Sequence, residues 1–292
     1  MKTLKKYMTP QQLVALMQSR GLIITDTVSA EDTLHNTNYY RLSGYLHDFK
    51  QPKSDMYING LTWDRLLRIY DFDRRLTRIL MFALEDIEET LKTRMSLVLT
   101  AAYPADPEIY LRPVVYRAYA PYLKFVSFFE KEVENNKKLP FVRHHIDEYD
   151  GHFPMWVAVE LFTMGNLHAL YDNLTGKYQK ALAALYGTGP RQLSSWIENL
   201  TYTRNHLAHY MRVYNLNFGR SPLKCKKHPN YTGTSNMIFD QIYVIACMYS
   251  DADEWNNYVL SEIEQLLMEF DQDISLAGLG FPQNWRTVLH RK

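Results

Sequence analysis

One short stretch of the chain, residues 204–209, combines side chains that can transfer protons and bind phosphate. An imidazole side chain can exchange a proton near neutral pH, which makes His209 a candidate general acid or base. The guanidinium of Arg204 binds phosphate oxygens and stabilises spread-out negative charge, and the polar residue Asn205 follows it. These residue types suit phosphoryl transfer. The spacing alone is weak support, because a chain of this composition contains roughly one Arg-x4-His by chance.

A helix predicted over 191–214 positions these residues, and Ser195 with Glu198 forms a capping-box pattern where it opens. Arg204 lies roughly 140° around the helix axis from His209. Its side chain must therefore bend around the helix toward His209, contact a partner helix, or have a structural role only. The predicted apolar face holds Trp196, Leu200, Thr203, Leu207, Met211 and Tyr214, and the polar face holds Glu198, Tyr202, Asn205, His209 and Arg212.

A structural role is the alternative for this pair of residues. Arg204 would then anchor its helix through a buried carboxylate, with Asp73 or Glu85 as the candidate partner, and His209 would be a partly exposed polar residue. Spacing alone favours this structural interpretation.

Two weaker patterns compete with residues 204–209. Arg41 and His47 give a second, looser match to the Arg–His spacing. Cys225 and His228 are a close pair of metal-ligand types, but they lie in a loop and do not complete a zinc site. Neither a metal site nor a cofactor is predicted.

The remaining pattern predicts an all-α fold. Apolar residues step by three or four from 62 to 100 without Pro or Gly, which predicts the longest helix. Pro10 suggests the first turn of an N-terminal helix, and Gly44, in an aromatic stretch, predicts a turn or close packing. Further helices are predicted over 119–135, 155–174, 179–186, 238–249 and 255–270, and no period-two alternation predicts a strand.

Composition limits the class of protein. Of the 292 residues, 46% are apolar, so a sizeable core can form without cross-links. The 33 basic and 32 acidic residues give a net charge of +1, which excludes a globally basic binder but not a local basic groove. Two cysteines fit a reducing cytosol. Since neither a signal region nor a membrane-spanning apolar run occurs, a cytoplasmic protein without membrane contact is expected.

Five segments together resemble the abortive-infection proteins of the AbiD/AbiF type, a bacterial phage-defence group within the HEPN superfamily. They occur in the family's order and span nearly the whole chain. The segments are NYYRLSGY (38–45), YDFDRRLTRIL with ALEDIEETLKTR (70–94), FTMGNLHALYDNL (162–174), SSWIENLTYTRNHLAHYMRVYN (194–215) and GLGFPQNW (278–285).

The resemblance implies an HEPN-like helical bundle with additional N-terminal and C-terminal helices. Residues 1–60 would pack on a main domain of residues 61–292 as one continuous unit, with a basic loop at 215–234. The family's catalytic Arg and His correspond to Arg204 and His209, Asn205 is the polar residue that often follows the Arg, and Arg212 matches a further family Arg. Because the chain has one such motif, a two-motif site implies a homodimer.

The activity implied by the resemblance is metal-independent RNA cleavage, in which a 2′-hydroxyl attacks the adjacent phosphorus and leaves a 2′,3′-cyclic phosphate. RNA is the expected partner, as substrate and as a regulator in a toxin–antitoxin system, and DNA is not expected. Two alternatives stay open, a non-catalytic RNA-binding or RNA-regulated module and a helical protein-interaction adaptor. Supporting RNA contacts are predicted for Tyr202, Arg212, Lys224, Lys226 and Lys227, although a solvated loop is the alternative for the three lysines.

Overall fold

The computed structural model describes residues 4, 6–224, 231 and 235–291, and over these residues the chain is built from helices. Backbone pairing outside the helices is confined, in this part of the chain, to isolated bridges such as that between Ile23 and Thr62. The predicted all-α fold is confirmed. The helices are α1 (Pro10–Ser19), α2 (Thr27–Asn36), α3 (Tyr39–Leu46), α4 (Trp63–Ala102), α5 (Tyr119–Asn136), α6 (Pro140–Glu148), α7 (Met155–Ala158), α8 (Met164–Asn173), α9 (Gly176–Leu185), α10 (Pro190–Ala208), α11 (Ile238–Met248), α12 (Ala252–Glu254), α13 (Leu260–Glu269) and α14 (Trp285–Leu289).

The longest helix, α4, is the axis on which the fold is built. Thr62 caps its start by accepting a hydrogen bond from the N–H of Arg65 at 3.1 Å, and the helix then runs for about 60 Å. Its buried face packs against α3, α7 to α11 and α13. The buried side chains of α4 are apolar except for Asp73 and Ser96. The helix predicted over 62–100 is confirmed, and burial of each large apolar side chain stabilises it by about 1.5–3 kcal/mol.

Helix α10 carries the candidate residues and begins earlier than its capping pattern predicts. Pro190 occupies the first turn, where its fixed φ is already helical, and the Gln192 side chain accepts a hydrogen bond from the Gly189 N–H at 3.2 Å. Ser195 lies inside the helix, and its hydroxyl accepts a hydrogen bond from the N–H of Leu223 at 3.0 Å. The predicted capping box at Ser195 is therefore wrong.

Several other helices match their predicted ranges closely. The predicted helices 119–135, 179–186 and 238–249 are present as α5, α9 and α11. The predicted helix 255–270 is also present, but it opens with a π-helical turn at Trp255–Val259 before α13. Among the residues that the structure describes, no helix combines the length and the apolar character needed to cross a membrane.

The helix predicted over 155–174 is divided in two. Helix α7 passes into a 3-10 turn at Val159–Leu161, and α8 starts afresh after Thr163. The Thr163 hydroxyl accepts a hydrogen bond from the Asn166 N–H at 3.3 Å, and the Asn166 side chain accepts one from the Thr163 N–H at 2.9 Å. This reciprocal capping box supplies the restart that hydrophobic periodicity does not reveal.

The N-terminal segment contains one confirmed and one wrong prediction. Pro10 does begin a helix, which Thr9 caps. Gly44 lies within α3 rather than in a turn, and a Cβ built at this position meets nothing within 4 Å. Helix α3 packs on α4. The division of the chain at residue 60 and the likeness to an HEPN bundle stay predictions.

Candidate functional site

The chain turns sharply at the end of α10, directly after the candidate imidazole of His209. The N–H of Tyr210 donates to the Leu207 carbonyl at 2.9 Å, and the N–H of Met211 donates to the His206 carbonyl at 3.1 Å. These bonds form a Schellman motif, with Tyr210 in the left-handed conformation (φ +55°) that usually requires glycine. The predicted continuation of the helix to residue 214 is therefore wrong. Met211, Arg212 and Tyr214 consequently do not lie on the helix faces predicted for them.

Arg212 consequently lies off the helix instead of one turn beyond His209. Its Nη1 donates to the Gly44 carbonyl at 2.7 Å and forms an ion pair with Asp48. The guanidinium carbon also lies 5.8 Å from the centre of the Tyr45 ring. Arg212 thus ties the turn after α10 to the end of α3, and its role toward RNA stays a prediction.

Asp73, a buried carboxylate of α4, binds the backbone that follows the same turn. It accepts hydrogen bonds from the Tyr45 hydroxyl at 2.6 Å and from the backbone N–H groups of Val213 at 3.0 Å and Tyr214 at 2.8 Å. Burial raises the pKa of Asp73 to about 6, although these hydrogen bonds and Arg212 act in the opposite direction. Asp73 therefore anchors the backbone that follows the site and does not pair with the candidate arginine.

His206 is a structural histidine. It is buried between Phe218, at 5.3 Å between ring centroids, and Tyr202, at 6.0 Å. Its Nε2 lies 2.8 Å from the Arg212 carbonyl, which can only accept, so this nitrogen carries the proton. Burial lowers the pKa of His206, which favours the neutral ring. The hydrogen bond fixes the turn that presents His209.

The side chains of Asn205 and His209 are exposed at the C-terminal end of α10. Within the described part of the chain, neither the amide nor the imidazole has a hydrogen-bond partner. The backbone that carries them is fixed by the Schellman motif and by the His206 hydrogen bond. An unpartnered imidazole on a fixed backbone can exchange a proton with a bound molecule.

Arg204 lines a cavity of about 630 Å³ beside α4, which we call the glutamate cavity. Its Nε lies 3.7 Å from Oε2 of Glu88, too far for a hydrogen bond, and its side chain is 38% exposed. The carboxylate beside Arg204 therefore belongs to Glu88, and the predicted pairing with Asp73 or Glu85 is wrong. The charged residues that line the cavity are Glu85, Glu88, Glu89, Glu160, Lys92 and Arg204.

The basic loop approaches α10 at the end opposite to His209. The Gln192 side chain donates to the backbone carbonyl of Lys224, and Trp196 Nε1 donates to the carbonyl of Leu223 at 2.7 Å. The helical rise separates Gln192 from His209 by about 25 Å. The structure therefore does not bring Lys224 to the candidate imidazole.

The RNA contacts predicted for Tyr202, Lys226 and Lys227 stay predictions. Tyr202 is exposed and lies under Arg220, whose guanidinium carbon is 4.9 Å from the ring centre. Lys226 and Lys227 lie outside the described residues, as do Cys225 and His228.

Sequence reasoning missed the anchoring role of Asp73 and the exposed ring of Tyr210. The signal for Asp73 was present, because it is an acidic residue on an apolar stripe of α4. Its partners Val213 and Tyr214 were not apparent, since they lie about 140 residues further along the chain. Tyr210 gave no signal, because glycine is the usual residue at its position.

Comparison with known proteins gives one match. The model of a family described as Abi-like protein matches residues 32–215, which is more than half of the chain. The matched region begins within α2 and extends just past the turn after α10, so it contains both Asp73 and His209. No curated protein and no solved structure matches the chain.

Proposed function

Since this chain belongs to the Abi-like protein family, we propose that it is a defence endoribonuclease that cleaves RNA without a metal ion. Family membership supports a role in bacterial abortive infection. RNA cleavage is the chemistry by which we propose that this role is carried out, with His209 and Arg204 as the catalytic residues and Asn205 beside them.

The observation that carries the proposal is the presentation of His209. Its imidazole is exposed and has no partner among the described residues. The backbone that follows it is fixed by a hydrogen bond from His206 Nε2 to the Arg212 carbonyl and by one from the Val213 N–H to the Asp73 carboxylate. A histidine with a structural role is typically bonded within the protein, as Nε2 of His206 is to the Arg212 carbonyl. The contrast between two histidines three residues apart favours a chemical role for His209.

The proposed reaction needs one proton acceptor and one proton donor. The neutral imidazole of one His209 takes the proton of the 2′-hydroxyl, and the O2′–P bond forms as the P–O5′ bond breaks. A protonated imidazole, from His209 of a second copy of the chain, returns a proton to the departing 5′-oxygen. The products are a 2′,3′-cyclic phosphate and a 5′-hydroxyl, and the guanidinium of Arg204 neutralises the negative charge of the transition state.

A homodimer is part of this proposal. Arg204 lies roughly 140° around α10 from His209, so one chain alone does not direct both side chains to one phosphate. The 3.7 Å contact with Glu88 does not hold Arg204 firmly, because it is too long for a hydrogen bond and the Arg204 side chain is 38% exposed to solvent. A phosphate bound between two copies can therefore recruit Arg204 at small cost.

The test is incubation of the purified chain with end-labelled RNA in the presence of EDTA. We expect cleavage to persist in the chelator, to yield cyclic-phosphate ends and to fall by at least 100-fold in His209→Ala. His290→Ala is the matched control, because His290 is also exposed but lies at the far end of the chain. If His209→Ala cleaves as fast as the His290→Ala control, the proposal is wrong.

A non-catalytic RNA-binding module is the second candidate. The four glutamates around Arg204 favour it, because they repel the phosphate that Arg204 would have to contact during catalysis. RNA binding by the wild-type chain without any cleavage would support this candidate. Absence of RNA affinity at every salt concentration would instead indicate a protein-interaction adaptor.

A further inference from the structure

A second cavity, of about 320 Å³, opens beside the turn after α10. We call it the arginine cavity, because Arg41 from α3 and Arg74 and Arg78 from α4 line it together. Tyr210 and Met211 of the Schellman turn contribute another part of its lining. The cavity therefore adjoins His209 through the residue that follows it in the chain.

No carboxylate of the described residues forms an ion pair with the three guanidiniums of this cavity. Within the described residues, none of the three has an acidic group at ion-pair distance, although two neighbouring arginines of α4 do. Arg68 pairs with Asp273 at 2.5 Å, and Arg75 pairs with Glu269 at 2.6 Å.

The one carboxylate that lines the arginine cavity is already occupied. Asp73 accepts hydrogen bonds from the Tyr45 hydroxyl and from the Val213 and Tyr214 N–H groups. It is almost fully buried, so it offers the guanidiniums little exposed charge. Three exposed guanidiniums that lack an ion-pair partner among the described residues surround this concave surface. Although Arg41 donates to the Tyr210 carbonyl and Arg74 lies over the Tyr70 ring, their other N–H groups suit a phosphate group, whose oxygens accept several charge-assisted hydrogen bonds.

Tyr210 projects an aromatic ring beside these charges. Its side chain is 73% exposed, and its backbone holds the left-handed conformation at φ +55°, which is strained for a bulky residue. Arg41 fixes it by donating to its carbonyl at 2.8 Å, with the guanidinium carbon 6.0 Å from the ring centre. An exposed ring held in a strained conformation beside a cavity lined by guanidiniums has the form of a base-stacking platform.

We propose that the arginine cavity binds a backbone phosphate of single-stranded RNA while Tyr210 stacks on an adjacent base. This inference rests on the proposed action of the chain on RNA. A single strand is specified because only an unstacked base can lie on an exposed ring. Strand binding beside His209 would place the neighbouring phosphodiester at the imidazole.

The test measures binding apart from cleavage. A fluorescently labelled single-stranded RNA is titrated with the His209→Ala variant, which binds without cleaving. The same titration is made with a variant that carries Arg74→Gln and Arg78→Gln in addition to His209→Ala. We expect the double change to weaken binding at least tenfold and to reduce its dependence on salt concentration, since fewer phosphate charges are neutralised. Arg143→Gln with Arg286→Gln is the matched control, because it removes two exposed arginines elsewhere.

Two further variants separate binding from folding. Arg78→Lys keeps the charge but loses the two-pronged guanidinium, so we expect an intermediate loss of affinity without loss of the thermal transition. Tyr210→Gly removes the ring and relieves the strained backbone, so we expect on the order of tenfold weaker binding from a chain that is no less stable. Unchanged affinity in these variants and in the double variant would overturn the inference.

Failure of the cavity proposal can be distinguished from failure of the nuclease proposal. If the wild-type chain cleaves RNA but affinity does not depend on Arg74, Arg78 or Tyr210, the cavity proposal fails and the nuclease stands. If affinity depends on these residues but no cleavage occurs, the nuclease fails and the cavity proposal stands. A labelled mononucleotide that binds the same arginines while single-stranded RNA does not would overturn the RNA assignment of the cavity.

Discussion

The glutamate cavity and the arginine cavity lie along the same helix, α4, on either side of Phe82. The exposed stripe of α4 carries Arg74 and Arg78 before this ring and Glu85 and Glu89 after it. The first cavity contains Arg204 among four carboxylates, whereas the second contains three guanidiniums that no described carboxylate neutralises.

The comparison shows why net charge says little about this surface. A chain with a formal charge of +1 separates its charges by sign along one helix, and attraction of a polyanion depends on that local separation. Along the chain, His209 lies between Arg204, which lines the glutamate cavity, and Tyr210, which lines the arginine cavity. We therefore expect RNA affinity to come mainly from the arginine cavity, and the glutamate cavity to restrain Arg204.

The largest expected effect on stability comes from removing the Asp73 carboxylate, which anchors the turn after α10 to α4. Asp73→Ala leaves the Tyr45 hydroxyl and two backbone N–H groups buried without an acceptor, which should lower the free energy of unfolding by about 3–5 kcal/mol. Urea denaturation measures the change. Asp71→Ala, on an exposed face of the same helix, is the control and should stay within about 0.5 kcal/mol of wild type. Equal midpoints for the two variants would contradict the anchoring role.

The same carboxylate should give the stability an unusual pH dependence. The folded chain keeps the Asp73 proton up to a pKa of about 6, whereas the unfolded chain releases it near pH 4. Because the folded state binds more protons between these values, this group's contribution to stability falls as the pH rises from 4 to beyond 6.

Comparison with Asp73→Asn isolates this contribution. Urea denaturation at pH 4, 5, 6 and 7 should show wild type losing roughly 2–3 kcal/mol relative to the variant across the range. A difference that does not change with pH would show that the carboxylate titrates normally.

A smaller effect is expected from weakening the negative charge of the glutamate cavity. Glu88→Gln removes the carboxylate nearest to Arg204, so RNA cleavage by the proposed nuclease should become about three- to tenfold more efficient, equivalent to about 1 kcal/mol. Glu134→Gln, on the exposed face of α5, is the control and should have no effect. Slower cleavage by Glu88→Gln would show instead that Glu88 holds Arg204 in its working position.

The smallest effect concerns the strained turn. Tyr210→Gly should raise the free energy of unfolding by up to about 1 kcal/mol, because glycine adopts φ +55° without steric cost. Ala208→Gly, two residues earlier and still helical, should lower it by about 0.5–1 kcal/mol. A destabilised Tyr210→Gly chain would mean that the ring makes stabilising contacts beyond those with Arg41.

The sequence predicts the scaffold better than it predicts the site. Helix α4 follows from a regular apolar stripe and a threonine cap, both of which are local signals. The range predicted for α10 begins within one residue of its actual start, but the predicted cap is wrong, because Ser195 and Glu198 only imitate a capping box and Pro190 and Gln192 provide the start. Local pattern alone does not rank two candidate starts on one helix.

The site differs because its geometry is set by distant partners. The end of α10 depends on a left-handed Tyr210, on a His206 hydrogen bond and on Asp73, and none of these is a local helix-stop signal. The two cavities likewise combine residues of α3, α4 and α10 that lie far apart in the chain. Residue types predicted the candidates, but only the fold shows which charges surround them.

The bond between Asp73 and Val213 also constrains the order in which the protein can be made. These residues are separated by 140 positions, so at ribosomal rates of about 5–20 residues per second the carboxylate waits on the order of 10 s for its partner to be synthesised. The hydroxyl of Tyr214 has a partner still later in the chain, because it accepts a hydrogen bond from the N–H of Ser275 at 3.1 Å. The turn behind His209 therefore cannot be anchored to α4 until Val213 and Tyr214 have been synthesised, long after the residues of α4 themselves.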